Sequence, residues 1–384
     1  MRLLTILIFT PPSYLNSNIA MRKIRVLVVD DAVVVRKIVT DTLSSDPNIE
    51  VASTAANGKI ALQKIPQINP DILTLDIEMP EMDGLQTLAE ARKLYPSLPI
   101  IMFSTLTERG GEKTLEALAL GATDYVTKPA NVGSVSVAMQ RIRDELIPKI
   151  KMFCAKQAGV EVPSALAPTP PAKKTVVPPK PAAGRKSLNQ KIEILAIGVS
   201  TGGPNALAEL IPTLPGDLPV PIVMVQHMPP FFTKLLAERL TAKSPLLIQE
   251  GKTGEKIKPG QAWIAPGDYH MVLENRADGV YLKTNQEPQE NSCRPAVDPL
   301  FRSVAEIYGP KTLSVILTGM GQDGLIGCEH IKEAGGQVFV QDEQSSVVWG
   351  MPGFVARAGL ADEILPLNQI GQKIVSALKV GRAW

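Results

Sequence analysis

The stretch IEILAIGVSTGGP, residues 192–204, decides how this chain folds. Ile192–Gly198 is an apolar, strand-like run, and it ends in a glycine-rich turn that carries Ser200. Two other runs end the same way, Pro221–Gln226 before His227 and Thr312–Thr318 before Asp323. In an α/β sheet of parallel strands, the residues just past the strand ends collect along one edge, where ligands bind. Ser, His and Asp far apart in sequence are therefore expected to converge. They are the three residue types that make an activated serine nucleophile.

The local sequence around each supports that chemistry and leaves alternatives. In Gly198-Val199-Ser200-Thr201-Gly202-Gly203-Pro204, a tight turn lifts a side chain off the backbone and frees N–H groups. Pro204 suits the first turn of a helix, whose N-terminus adds a positive dipole end. Gly198-x-Ser200-x-Gly202 has the G-x-S-x-G spacing, but the chain order Ser…His…Asp differs from that of the α/β-hydrolases that carry the elbow. A phosphate or dinucleotide loop would look similar, but it calls for a ribose-binding acid about twenty residues on. Here Asp217-Leu218-Pro219-Val220 precedes the next strand instead of ending it. His227, stopped by Pro229 and Pro230, is placed as a fixed imidazole at the sheet edge. Asp323 follows a Gly-Met-Gly turn and offers either a carboxylate to orient the imidazole or a simple turn aspartate. The chain has two further histidines. His330 reads as a surface helix residue. His270 reads as a turn residue leading into a strand, with a place in the cleft left open.

A chain of 384 residues implies two or three domains. The composition, 45% hydrophobic and 20% charged, is globular. A net charge of +2 with 4% aromatics argues against a nucleic-acid partner. Cys154, Cys293 and Cys328 are too scattered for a disulfide framework or metal cluster, and Cys328 reads as a small apolar filler. Arg2 and Leu3–Phe9 mimic a signal peptide, but the apolar stretch is short and lacks a clean cleavage site. Residues 1–21 are read as a disordered extension or an upstream start. No apolar run approaches the ~18 residues of a membrane span. A cytoplasmic monomer without membrane insertion is expected.

From Ile24 onward, strand-like runs (Ile24–Val29, Ile49–Ser53, Asp71–Leu75, Pro99–Phe103, Asp124–Val126) alternate with helical patterns. The helices are read near Val33–Leu43, Gly58–Ile65, Leu85–Leu94, Glu112–Leu120 and Val135–Met152. Five βα units imply a doubly wound parallel sheet over residues 22–152. Residues 153–190, rich in Pro, Ala and Lys, read as an extended linker. Residues 191–384 form a second α/β unit, mostly parallel. Within it, Leu246–Lys283, broken by Lys-Thr-Gly and Pro-Gly turns, is expected to insert antiparallel hairpins.

In the first unit Asp30 and Asp31 end strand one, and Asp76 lies past strand three. Three neighbouring carboxylates repel, and a hard divalent cation such as Mg²⁺ relieves this. An aspartate near Mg²⁺ suits attack on a phosphoryl group. Lys128 reaches the same edge, Ser104 supplies a hydroxyl there, and Tyr125 is an aromatic placed to report a change. For Asp30-Asp31 alone, a helix cap and first-turn acid explains the pair equally well.

With VLVVDD (26–31), LDIEMPEMDG (75–84), FST (103–105) and TKPA (127–130), the first unit resembles the response-regulator receiver family. The resemblance implies a flavodoxin-like fold, Asp76 as acceptor of a phosphoryl group from a histidine kinase, and Asp31 and Asp76 among the Mg²⁺ ligands. Ala32 departs from the polar residue common there. The second unit, with IGVSTGGPNAL (197–207), QHMPPFFTKLLAERL (226–240), RPAVDPLF (294–301) and LTGMGQDG (317–324), resembles the chemotaxis protein-glutamate methylesterase (CheB) family. That resemblance implies a Rossmann-like domain with no cofactor in the esterase site. Ser200 is then the nucleophile, His227 the base and Asp323 the orienting carboxylate, with the Met320 N–H in an oxyanion hole and Thr201 in support. It also implies action on chemoreceptor methyl esters and glutamines, with the unphosphorylated receiver covering the site.

Overall fold

The computed structural model describes residues 22–128, 139–140, 142–158 and 190–382. The extension expected at 1–21 and most of the linker expected at 153–190 lie outside them.

The first sheet has five strands: β1 (Ile24–Val29), β2 (Ile49–Ala55), β3 (Ile72–Asp76), β4 (Ile100–Ser104) and β5 (Asp124–Thr127). Their order is β2-β1-β3-β4-β5, and every pairing is parallel. In this order the chain reverses direction across the sheet between β1 and β3, where an open α/β sheet leaves a crevice at its carboxyl edge. β3 and β4 are buried throughout, as strands covered by helices on both faces require. The expected helices form at Val33–Ser44, Gly58–Ile68, Gly84–Leu94 and Glu108–Ala119. The fourth begins four residues before the expected Glu112 because Thr107 caps it, its side chain accepting from Gly110 N.

Of the helix expected at Val135–Met152, residues 135–138 and 141 lie outside the described residues. The rest is a π-turn at Ile142–Leu146 followed by a helix, Ile147–Ala158. This helix runs past residue 152 because Cys154 is wholly buried in the same apolar cluster as Ile142, Leu146 and Ile150.

The second sheet has seven strands in the order β14-β13-β12-β6-β7-β9-β8, again with every pairing parallel. Its centre is β6 (Ile194–Val199), flanked by β7 (Ile222–Gln226) and β12 (Thr312–Ile316). β8 (Leu247–Glu250) and β9 (Gln261–Ile264) extend one side; β13 (Gln337–Gln341) and β14 (Glu363–Leu365) extend the other. The expectation of hairpins throughout Leu246–Lys283 is half corrected. β8 and β9 join the parallel sheet because Ala262, Trp263 and Ile264 are buried there. Only β10 (His270–Arg276) and β11 (Gly279–Asn285) form an antiparallel hairpin.

The two units share one apolar cluster, which includes Leu115 and Leu118 of helix Glu108–Ala119 and Phe232 and Leu235 of helix Phe232–Lys243. No helix among the described residues is long and apolar enough to cross a membrane.

Candidate active site

Ser200 follows β6, His227 follows β7 and Asp323 lies seven residues past the end of β12. These are three adjacent strands, so the sheet order brings to one edge what the sequence scatters. Gly202 takes φ 79, the left-handed backbone that lets the chain turn from β6 into helix Gly203–Leu210 within four residues. Gln226 ties the two loops together, its Nε2 donating to Ser200 O at 3.0 Å and to His227 O at 3.2 Å.

His227 Nε2 meets Asp323 Oδ2 at 2.7 Å. Asp323 is almost wholly buried, with every lone-pair direction used. Its Oδ2 also accepts from Val297 N at 2.6 Å. Its Oδ1 accepts from Asp298 N at 3.1 Å, Gly324 N at 3.0 Å and Asn291 Nδ2 at 3.0 Å. Burial opposes its charge, but His227 and these N–H donors hold the carboxyl below the usual carboxylate range. Beside it, burial and then the Asp323 charge push Asp298 up to about 6. Asn291 Nδ2 also donates to Asp298 at 2.9 Å and so bridges the two carboxylates.

With Nε2 committed to Asp323, Nδ1 is the nitrogen left for Ser200. It faces Cys293 Sγ at 3.6 Å. Burial pushes the imidazole down, but Cys293 and Asp323 outweigh it and lift His227 to about 10. Among the described residues Ser200 Oγ makes no hydrogen bond, and the backbone N–H groups of Thr201 and Met320 bind no acceptor. Thr201 and Met320 therefore line the cleft with Ser200 and have backbone donors free, the kind of group that can bind an oxyanion. Ser200, Thr201, His227 and Met320 line a cleft of about 750 Å³.

The other histidines separate cleanly. His330 is exposed on helix Leu325–Glu333, as expected. His270 belongs neither to a turn nor to the cleft. It starts β10, is 1% exposed, and spans Pro288 O at 3.0 Å and Ala296 N at 3.2 Å as a structural link. Cys328 is fully buried, as expected of a filler.

The receiver side closes the same cleft with Leu106, Tyr125 and Glu145. Tyr125 stacks on Phe232 with ring centroids 5.4 Å apart, and Asn205 Nδ2 donates to Leu118 O at 2.9 Å.

At the edge of the first sheet, Asp30, Asp31 and Asp76 place one oxygen each within 4.8 Å of one another. Lys128 Nζ pairs with Asp30 at 2.9 Å and Asp76 at 2.8 Å. Burial, opposed by Lys128 but helped by the Asp30 charge, raises Asp76 to about 6. Ser104 Oγ donates to Gly110 O at 3.0 Å and accepts from Thr114 Oγ1 at 2.6 Å. Hard oxygen donors in an acidic cluster with an adjacent cleft fit a magnesium site.

A receiver joined to an α/β unit with Ser, His and Asp at one sheet edge defines a response regulator with a hydrolase output. Family models describe the two parts: "CheB methylesterase" matches residues 195–374 and "Response regulator receiver domain" matches 26–140. The chain is 53% identical to the protein-glutamate methylesterase/protein-glutamine glutaminase of Trichodesmium erythraeum (strain IMS101), over 92% of this chain and 99% of that protein. A protein of the same name from Nocardioides sp. (strain ATCC BAA-499 / JS614) is 50% identical, over 92% of this chain and 95% of its own. The solved Thermotoga maritima CheB methylesterase catalytic domain is 46% identical, covering 48% of this chain and 98% of that one, with a TM-score of 0.48. The chain belongs to the CheB methylesterase family and carries a response regulator receiver domain. It is an enzyme of the methylesterase class.

Proposed function

We propose that the chain hydrolyses glutamate γ-methyl esters, and deamidates glutamines, on cytoplasmic chemoreceptor helices, and that phosphorylation of Asp76 by a chemotaxis histidine kinase activates it. The organisation proposed is a receiver from 22 through the helix that ends at Ala158, a linker from there to 190 and a catalytic unit over 191–384, in a cytoplasmic monomer. The observation that carries the hydrolase reading is the buried His227–Asp323 pair at 2.7 Å, in a cleft with Ser200. Ser200 Oγ attacks the ester carbonyl while His227 Nδ1 takes its proton. The Thr201 and Met320 N–H groups steady the oxyanion, and His227 returns the proton to the departing methoxide. Water then attacks the acyl-serine by the same route and releases the glutamate carboxylate.

In the receiver, Asp30, Asp31 and Asp76 would hold Mg²⁺, which when bound neutralises phosphoryl oxygens and orients them. The protein's own parts act around it. Lys128 turns toward the phosphoryl group on Asp76, and Ser104 exchanges its bond to Gly110 O for one to a phosphoryl oxygen. Gly110 and Thr114 lie on helix Glu108–Ala119, which packs on the catalytic unit, so losing the Ser104 bonds loosens that contact. The receiver then uncovers the cleft as a shift of population.

Two substitutions test these parts. A Cβ on Gly111 would lie 2.7 Å from Leu235 Cδ1 and 3.3 Å from Phe232, across the junction. Overpacking costs about 1–3 kcal/mol and here acts on the covered state alone. Gly111→Leu is therefore expected to raise methanol release without a phosphodonor about tenfold; unchanged basal release would contradict occlusion by this face. A Cβ on Gly319 would collide with Met351 Sδ and sit 2.8 Å from Ser200 Cβ. Gly319→Ala is expected to displace the nucleophile and lower kcat about 10²-fold, the cost of a misplacement of order 1 Å. Steady-state kinetics on methylated receptor measures it.

A further inference from the structure

Cys293 takes no part in the reaction above, yet it touches its base. Its Sγ lies 3.6 Å from His227 Nδ1, the nitrogen that must receive the Ser200 proton because Nε2 is held by Asp323. The segment that presents it is anchored at both ends. Glu290 and Cys293 exchange backbone hydrogen bonds at 3.2 and 2.8 Å, and Glu290 is clamped by both terminal nitrogens of Arg302. Asn291, in the same turn, reaches Asp323 Oδ1. One short segment therefore grips both members of the His227–Asp323 pair from the side, and the thiol faces the ring nitrogen that the serine hydroxyl needs.

We infer that Cys293 is a positioning residue that occupies His227 Nδ1 in the resting enzyme, so that Ser200 must displace the thiol before the base is available. This rests on the reading of His227 as the base. With the ring N–H donating to sulfur, Cys293 favours the charged ring through its charge and through the hydrogen bond, in line with the raised His227. A charged imidazole takes no proton from Ser200. Activity therefore requires the neutral ring, and the acid limb of kcat/KM lies higher than it would without the thiol. The other charged groups around His227 keep their places when Cys293 is changed. These are Asp323 after β12, Asp298 on the neighbouring helix, and the Asp268–Arg294 pair, joined at 2.7 Å in the cleft wall. From the receiver come Asp124, Asp144, Glu145 and Lys149, with Lys149 on Asp124 at 2.6 Å.

The chain has three histidines, so a ¹⁵N-histidine spectrum of the full-length protein shows three rings, and His227 can be titrated directly without turnover. Cys293→Ala is expected to lower the His227 midpoint by about one unit or more, a shift of the size a close partner imposes. The acid limb of kcat/KM, measured with a phosphodonor on methylated receptor, should move down with it. Cys293→Ser, which keeps a hydrogen-bonding group but loses the ionisable sulfur, should fall between. Unchanged resonances for His270 and His330 report that the variant is folded. A His227 midpoint that stays or rises in Cys293→Ala overturns the inference, as does activity lost equally at every pH. Because the titration needs no hydrolysis, its failure is distinguishable from failure of the esterase reading, which is tested at Ser200.

Discussion

Ser200→Ala is expected to lower kcat for methanol release from methylated receptor by about 10⁴-fold or more, the size of loss seen when a triad nucleophile is removed. The loss should fall in kcat rather than KM, because the hydroxyl is used in the acylation step and adds little to binding. Stability should hardly change. Ser200 Oγ makes no hydrogen bond among the described residues, so its removal leaves no buried partner unsatisfied. The loop itself is held by Ser200 N on Thr318 O at 3.0 Å and by Gln226, which the substitution leaves in place. A variant that kept its activity would mean that some other group performs the attack.

Asp323→Asn is expected to damage both activity and stability, and the physical reason differs from that for Ser200. Both Asp323 oxygens accept, one from His227 Nε2 and Val297 N, the other from Asp298 N, Gly324 N and Asn291 Nδ2. An amide has one accepting oxygen, so whichever way it is turned its NH₂ faces donors. Each donor so deprived costs about 1–3 kcal/mol in a buried site. If the NH₂ faces His227, the imidazole must take the tautomer with its proton on Nδ1, which no longer accepts from Ser200. A drop in kcat of roughly 10⁴-fold follows, by the logic of the wrong tautomer. Thermal unfolding and kinetics of this one variant measure the two effects separately. Full stability with lost activity would place Asp323 outside the hydrogen-bonded network described above.

The parallel architecture was legible because βα alternation leaves a strong trace, and the three strand-end residues followed from it. What the sequence concealed lies in long-range closure. β8 and β9 are four residues each and sit among Gly and Pro turns, so they read as hairpin material. Only the tertiary fold, which buries Trp263 and Ile264 against β7, makes them parallel strands. His270 read as a turn residue because Pro266-Gly267-Asp268 precedes it, whereas its burial depends on Pro288 and Ala296, both more than a dozen residues away. Gln226, Asn291 and Cys293 carried no signal for a different reason. Each has a side-chain contact to a site residue 26 to 66 positions away, and no local spacing encodes such contacts. The Ser200–His227–Asp323 set was visible because each member lies in the turn that follows an apolar strand-like run, and such a run is a local feature.

The central claim is a serine esterase gated by its own receiver. The most direct measurement is methanol release by the full-length chain from methylated receptor, with and without a small-molecule phosphodonor for Asp76. The account predicts slow release alone, faster release with the phosphodonor, and no acceleration in Asp76→Asn. Absence of release under both conditions, or equal rates with and without the phosphodonor, would contradict it.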